Sequence, residues 1–175
     1  MTTDLPRVDW AQWTVILLKP DCLARNLTQQ VLAWVGREVR VVDARTLHPT
    51  QEQVFAHYDD MLPLSDQLGR DVSGELRRIF VGQPTGLALG HGPNAAPRVR
   101  KLLGPTDPAQ APATTIRGCY AADTLTDAVA QGRLVNNLIH SSDTVDLVHR
   151  DFRIWYGPTQ AHLLHPPHHP PGGAP

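Results

Sequence analysis

Residues 14–20 read TVILLKP. Four apolar residues, Val15 to Leu18, run together after Thr14 without polar alternation, and Pro20 stops the run. That pattern predicts a buried strand. Working outward, TQQVLAWVGRE (28–38) carries Val31, Leu32 and Val35 at helical spacing, with Thr28 as a cap. VRVVDARTL (39–47) has the β-branched content of a second strand. QEQVFAHYDDM (51–61) is helical, with Thr50 at the N-cap and Gln53 placed to close a capping box. Residues 62–80 are helical in part. PTGLALG (84–90) is a short buried strand, and NAAPRVRKLLG (94–104) is a helix capped by Asn94 and stopped by Gly104. Residues 105–136 are mostly loop, with a helical turn or two in 123–134. Asn137-Leu138-Ile139 is a last strand, and TVDLVHRDF (144–152) a last helix, with Asp143 at its N-cap and Asp146 returning the bond. Strands and helices interleave, and strand-helix-strand occurs twice. The expected class is α/β (an α+β sandwich) on a ferredoxin-like plan: a four-stranded antiparallel sheet covered by helices.

The chain has 175 residues, enough for one domain with a real core. It divides into a leader (1–12), a domain (13–158) and a tail (159–175) whose Pro, His and Gly content predicts disorder. With 16 Lys plus Arg against 17 Asp plus Glu, there is no electrostatic case for a nucleic-acid or membrane-surface partner. No apolar run approaches the roughly 18 residues of a membrane span. The start, MTTDLPRVDW, lacks the pattern of a signal peptide. Two cysteines, Cys22 and Cys119, without motif spacing fit a reducing compartment, and the expected location is cytoplasmic.

Four short pieces carry candidate chemistry. Lys19 ends the first strand and can point its ammonium into a pocket at the sheet edge. Arg100 stands on a helix, with Thr106 beyond its end. Arg117 lies in TTIRG. Asn137 and His140 lie in NLIHSSD, where His140 sits at a strand end beside the positive end of a helix. If they converge, these cations, hydroxyl and amide make an oxyanion clamp. If they do not, His140 is a surface residue in a strand-to-helix turn and each arginine a solvated face residue.

The stretches TVILLKPDCLAR, AHY, HGPNAAPRVRKLLGPTDPAQAPATTIRG and NNLIHSSDTVDLVHRDFRIWY, in this order, resemble the nucleoside diphosphate kinase family. The resemblance implies a ping-pong transfer: the γ-phosphate of a nucleoside triphosphate passes to a histidine, then to a nucleoside diphosphate. His140 falls on the phosphorylated histidine. Lys19, Tyr58, Arg100, Thr106, Arg117 and Asn137 fall on the nucleotide-binding set. Asp151 falls on the family's glutamate that orients the imidazole, and Ser142 on the serine that supports it. The resemblance also implies Mg2+ carried by the nucleotide phosphates rather than by a protein cage, and a homo-oligomer, hexamer or tetramer. A neutral imidazole, with a reference pKa of about 6.5, has a free lone pair at pH 7 and attacks phosphorus without a separate base.

The chain departs from the family at several points. Asp151 is one methylene shorter than glutamate. Ser141 replaces a small residue after the histidine, where its side chain is expected to crowd a phosphohistidine. Cys119 replaces an acidic residue, and an insertion lies across 119–136. The aromatic residue that stacks on the base in the family has no placed counterpart; Phe80 and Leu68 are the candidates. Two readings follow: an active, divergent nucleoside diphosphate kinase, or a catalytically impaired relative that binds nucleotide or a protein partner.

Overall fold

The computed structural model describes residues 8–165. In chain order the regular elements are β1 (Trp13–Leu18), α1 (Pro20–Ala24), α2 (Thr28–Val35), β2 (Arg40–Leu47), α3 (Gln51–His57), α4 (Ser65–Leu68) and α5 (Val72–Phe80), followed by β3 (Thr85–His91), α6 (Ala95–Leu103), α7 (Ile116–Tyr120), α8 (Leu125–Ala130), β4 (Ile139–Ser141) and α9 (Val145–Trp155). The four strands form one sheet in the order β2-β3-β1-β4, with every pairing antiparallel. This is the expected ferredoxin-like arrangement.

β1 is central, and its unbroken apolar run follows from that position. Trp13, Val15 and Leu17 pack on one face with Phe152 and Trp155 of α9. Ile16 and Leu18 pack on the other with Val31 and Val35 of α2 and Val99 of α6. All six residues of the strand are buried. A third cluster joins α3 to α5 through Val54, Leu76 and Phe80. Close approach of the strands leaves no room for side chains at Gly86 and Gly90: a Cβ there would meet Leu18 and Val39.

The Thr50–Gln53 capping box is present in full. Three expected caps are not. Leu27, not Thr28, is the N-cap of α2. Asn94 precedes α6 in the left-handed region, at φ 51°, without a side-chain capping bond. Thr144, not Asp143, is the N-cap of α9, because the Asp143 carboxylate is taken by the Arg100 guanidinium at 2.9 Å. The last strand begins at Ile139 rather than Asn137, since Leu138 is turned out of the extended region.

Both domain edges extend the predicted domain. In the leader, residues 10–12 form a 3-10 turn, and the Trp10 ring stacks on His149 with centroids 4.9 Å apart. In the tail, Pro158–Leu164 form a 3-10 helix whose Leu164 is buried against the α9 side of the sheet. Residues 159–165 are therefore ordered, contrary to the expected disorder, because two leucines in HLLH give them an apolar anchor; the Pro/His-rich remainder, 166–175, lies outside the described residues. Among the described residues, no helix is long and apolar enough to cross a membrane.

Leu164→Ala is expected to lower unfolding free energy by about 2 kcal/mol. Denaturant unfolding followed by tryptophan fluorescence checks this, and an unchanged midpoint would mean that the segment does not belong to the core.

Candidate active site

β4 is short, but its register sets the site. His140 pairs with Leu17 and Ser141 with Ile16. Directly paired residues share a sheet face, so His140 projects on the α9 side and Ser141 on the side of α2 and α6. Ser141 is buried and does not line the cleft around His140, which corrects the expected crowding. Ahead of the strand, Leu138 has φ 70°, and the Ile139 N–H donates back to the Asn137 carbonyl at 2.8 Å. This tight turn strains a non-glycine backbone by about 1–3 kcal/mol. Its flanks hold it: the Leu138 N–H donates to Asp21 Oδ2 at 3.1 Å, and the Leu138 carbonyl accepts from the Lys19 N–H at 2.8 Å. The turn carries Asn137 and His140 on either side of it.

Lys19, Tyr58, Arg100, Thr106, Arg117, Asn137, His140 and Asp151 all line one cleft of about 390 Å³. Ser142 stands behind the cleft wall. Residues from five remote parts of the chain thus converge on one imidazole. Lys19 is buried; its Nζ donates to the Val135 carbonyl at 2.8 Å and to Asn137 Oδ1 at 3.1 Å. The Asn137 amide donates in turn to the Thr106 carbonyl at 2.9 Å. Arg117 is also buried, its two terminal nitrogens donating to the carbonyls of Gly104 and Ile139 at 2.9 and 2.8 Å. Both cations are thus fixed by neutral acceptors. Among the described residues, their positive charge is not cancelled by a direct ion pair. Arg100 does have a carboxylate partner, Asp143, but both side chains are more than a third exposed, so the pair is weak.

Electrostatics follow from this burial. Desolvation holds the His140 pKa well below the usual imidazole value, and the neighbouring His57, Arg100, Arg117 and Lys19 push the same way. His140 is therefore neutral at pH 7, with a lone pair free. Desolvation also brings Lys19 down to about 8, opposed by Asp21 and aided by Arg117. Burial raises the Tyr58 phenol, which stays protonated and can donate.

The carboxylate expected to orient His140 does something else. Asp151 Oδ2 accepts from Ser142 Oγ at 2.7 Å, the contact expected of that serine. Asp151 Oδ1 lies 3.1 Å from His57 Nδ1, not from the His140 ring. Among the described residues, no hydrogen bond to the His140 side chain forms. One methylene fewer than glutamate accounts for the shortfall: the carboxylate stops at the nearer imidazole.

Several residues in and behind the cleft wall went unread in the sequence. His57 precedes Tyr58 at the end of α3, and Trp155 stands one turn beyond Asp151 on α9, a spacing that puts both on one face. Arg150 joins the α3 end to α9, donating to Asp59 at 2.9 Å and to the His57 carbonyl at 3.1 Å. The insertion forms α8 and then the wall behind Lys19. Arg133 pairs with Asp123 while its carbonyl accepts from Arg70 at 2.6 Å, and the Leu134 N–H donates to Glu75 at 3.1 Å. Leu68 and Phe80 both line the cleft, together with Leu125 and Leu134.

Two buried cations and a neutral imidazole thus line one cleft on a ferredoxin-like sheet. The family profile described as nucleoside diphosphate kinase matches residues 12–161, and the chain belongs to that enzyme family. A nucleoside diphosphate kinase of Pyrobaculum aerophilum is 28% identical, covering 82% of this chain and 93% of that protein. One of Mycobacterium tuberculosis is 29% identical, covering 82% of this chain and 95% of that protein. Among solved structures, a transition-state mimic of the Borrelia burgdorferi nucleoside diphosphate kinase with bound vanadate and ADP superposes with a TM-score of 0.76 at 26% identity, covering 85% of this chain and 89% of that one. The P. aerophilum enzyme superposes at 0.73, also 26% identical, over 86% of this chain and 98% of that one.

Because Lys19 loses its proton near pH 8, ADP affinity is expected to fall as pH rises through about 8. The fall should be absent in Lys19→Gln, which binds more weakly throughout. Calorimetric titration of ADP between pH 7 and 9.5 checks this, and a flat wild-type profile would remove Lys19 from the phosphate contacts.

Proposed function

We propose that this chain transfers the γ-phosphoryl group of a nucleoside triphosphate to a nucleoside diphosphate in two half-reactions through a phosphohistidine at His140. The observation that carries this reading is the convergence of Lys19, Arg100 and Arg117 on a neutral imidazole within one cleft. In the first half-reaction the His140 lone pair forms a bond to the γ-phosphorus, while the bond from phosphorus to the bridging oxygen breaks and the diphosphate leaves. The second runs the same step backwards with a different diphosphate. Charge on the transferring group spreads over its equatorial oxygens. Lys19 and Arg117, already fixed by carbonyls, offset that charge without reorganising. Arg100 exchanges Asp143 for phosphate. Tyr58 donates to a phosphate oxygen, and Asn137 and Thr106 bind towards the ribose. Among the described residues, no group of three or more His, Cys, Asp or Glu side chains gathers as a metal site. Mg2+ in this reading would arrive with the nucleotide and would offset charge on its phosphates.

A second reading, nucleotide binding without turnover, is favoured by one observation: Asp151 does not touch His140. Incubation with γ-labelled ATP and Mg2+ separates the two. Wild type is expected to acquire acid-labile, base-stable label, and His140→Ala none. ADP bound by wild type without any label transfer from ATP would favour the second reading. Asp151→Ala is expected to slow labelling about 10²-fold, far less than the loss in His140→Ala.

A further inference from the structure

The buried environment of His57 holds an unresolved contest for one nitrogen. His57 Nδ1 lies 3.1 Å from Asp151 Oδ1 and 3.1 Å from the Trp155 indole nitrogen. The indole only donates and the carboxylate only accepts, so Nδ1 cannot satisfy both. With the lone pair on Nδ1, the carboxylate would face another electron pair in a site where His57 and Asp151 are almost fully enclosed. With the proton on Nδ1, the bond to Asp151 is charge-assisted, roughly twice as strong as the neutral one to the indole. The carboxylate wins, and Nδ1 carries the proton.

The lone pair is then on Nε2. That atom is buried and has no hydrogen-bond partner among the described residues. A buried acceptor without a partner is costly. Two rings of the cleft stand edge-on to His57: Tyr58, with centroids 4.7 Å apart, and His140, at 4.8 Å and 88°. A neutral His140 has one N–H to place and, among the described residues, no acceptor. One ring has a spare acceptor and its neighbour a spare donor.

We propose that His57 is a positioning residue: its Nε2, not bonded to His140 in this structure, accepts the His140 N–H once the two adjacent rings turn toward each other, and so links the Asp151 carboxylate to the nucleophile through a second imidazole. This rests on the phosphohistidine reading for its chemical consequence, but not for the ground-state hydrogen bond. As the N–P bond forms on the free nitrogen of His140, that ring turns cationic. Its other proton shifts to His57 Nε2, leaving His57 doubly protonated against Asp151. When the N–P bond breaks, the proton returns. No proton is gained or lost over the cycle, and no further reactant is needed. The shorter Asp151 is thereby compensated: an imidazole spans the gap that a missing methylene opened.

Nitrogen-15 NMR of the imidazoles in the full chain tests the ground-state bond, and single-turnover phosphorylation by Mg·ATP tests its consequence. In wild type His57 is expected as the Nδ1–H tautomer, with one tautomer of His140 dominant. His57→Asn keeps a donor for Asp151 and lacks the Nε2 acceptor. In it the His140 tautomers should mix, and phosphorylation should slow about 10²-fold with ADP affinity changed less than twofold. A His57 protonated at Nε2 in wild type would overturn the proposal without any variant having to fold. So would an unchanged His140 tautomer or rate in a folded His57→Asn protein. A wild type that shows the expected tautomers but takes up no phosphate would remove the phosphohistidine reading and leave the hydrogen bond standing.

Discussion

Gathering several positive charges at the edge of an apolar core, with no carboxylate among the described residues paired to Lys19 or Arg117, is the constraint on which this molecule is built. Bringing Lys19 and Arg117 out of water costs free energy that carbonyl dipoles only partly restore. The fold offsets this with hydrophobic burial. β1, sandwiched between two apolar layers, is the anchor, and Lys19 is the residue that follows its last leucine. What the protein gains is a field fixed in advance. Its carbonyls orient the cations but leave their net charge available to an incoming phosphate, and burial, aided by the same field, keeps His140 uncharged. Charge repulsion within the free cleft and attraction for polyphosphate are two aspects of one arrangement.

Much of this was legible in the residues. The unalternating TVILL run identified a strand covered on both faces, and the capping box at Thr50 fixed the start of α3. The order of short pieces pointed to the residues that line the cleft. Local signals failed where tertiary partners outbid them. Asp143 is a good capping residue, yet Arg100 takes its carboxylate, so the helix starts one residue later at a bare Thr144. Leu138 reads as strand, yet its N–H donates to the Asp21 carboxylate and its backbone turns into the left-handed region. The 3-10 helix at 158–164 was hidden by the Pro/His composition around it, although Leu163 and Leu164 gave it an apolar side.

The second layer of the site was the least legible. Sequence register placed Asp151 near His140, and it does line the same cleft. Which imidazole it bonds depends on a distance of about one methylene, which no pattern encodes. Ser142 and His57 share the carboxylate, Trp155 crowds the same nitrogen, and Arg150 clips the end of α3 to the helix that carries them. The insertion shows the same logic at larger scale. Its Asp123–Arg133 pair and its bonds to Glu75 and Arg70 tie it to the α5 side of the cleft, and its Val135 carbonyl holds the lysine ammonium.

The account's central claim is that burial, reinforced by the neighbouring cations, keeps His140 neutral and ready to accept phosphate. An NMR titration of the His140 ring in the nucleotide-free protein tests it most directly. The account predicts a midpoint well below the ordinary imidazole value, moving up when Lys19 and Arg117 are replaced together by methionine. A ring that titrates at or above the ordinary value of about 6.5, or one indifferent to the loss of both cations, would contradict it.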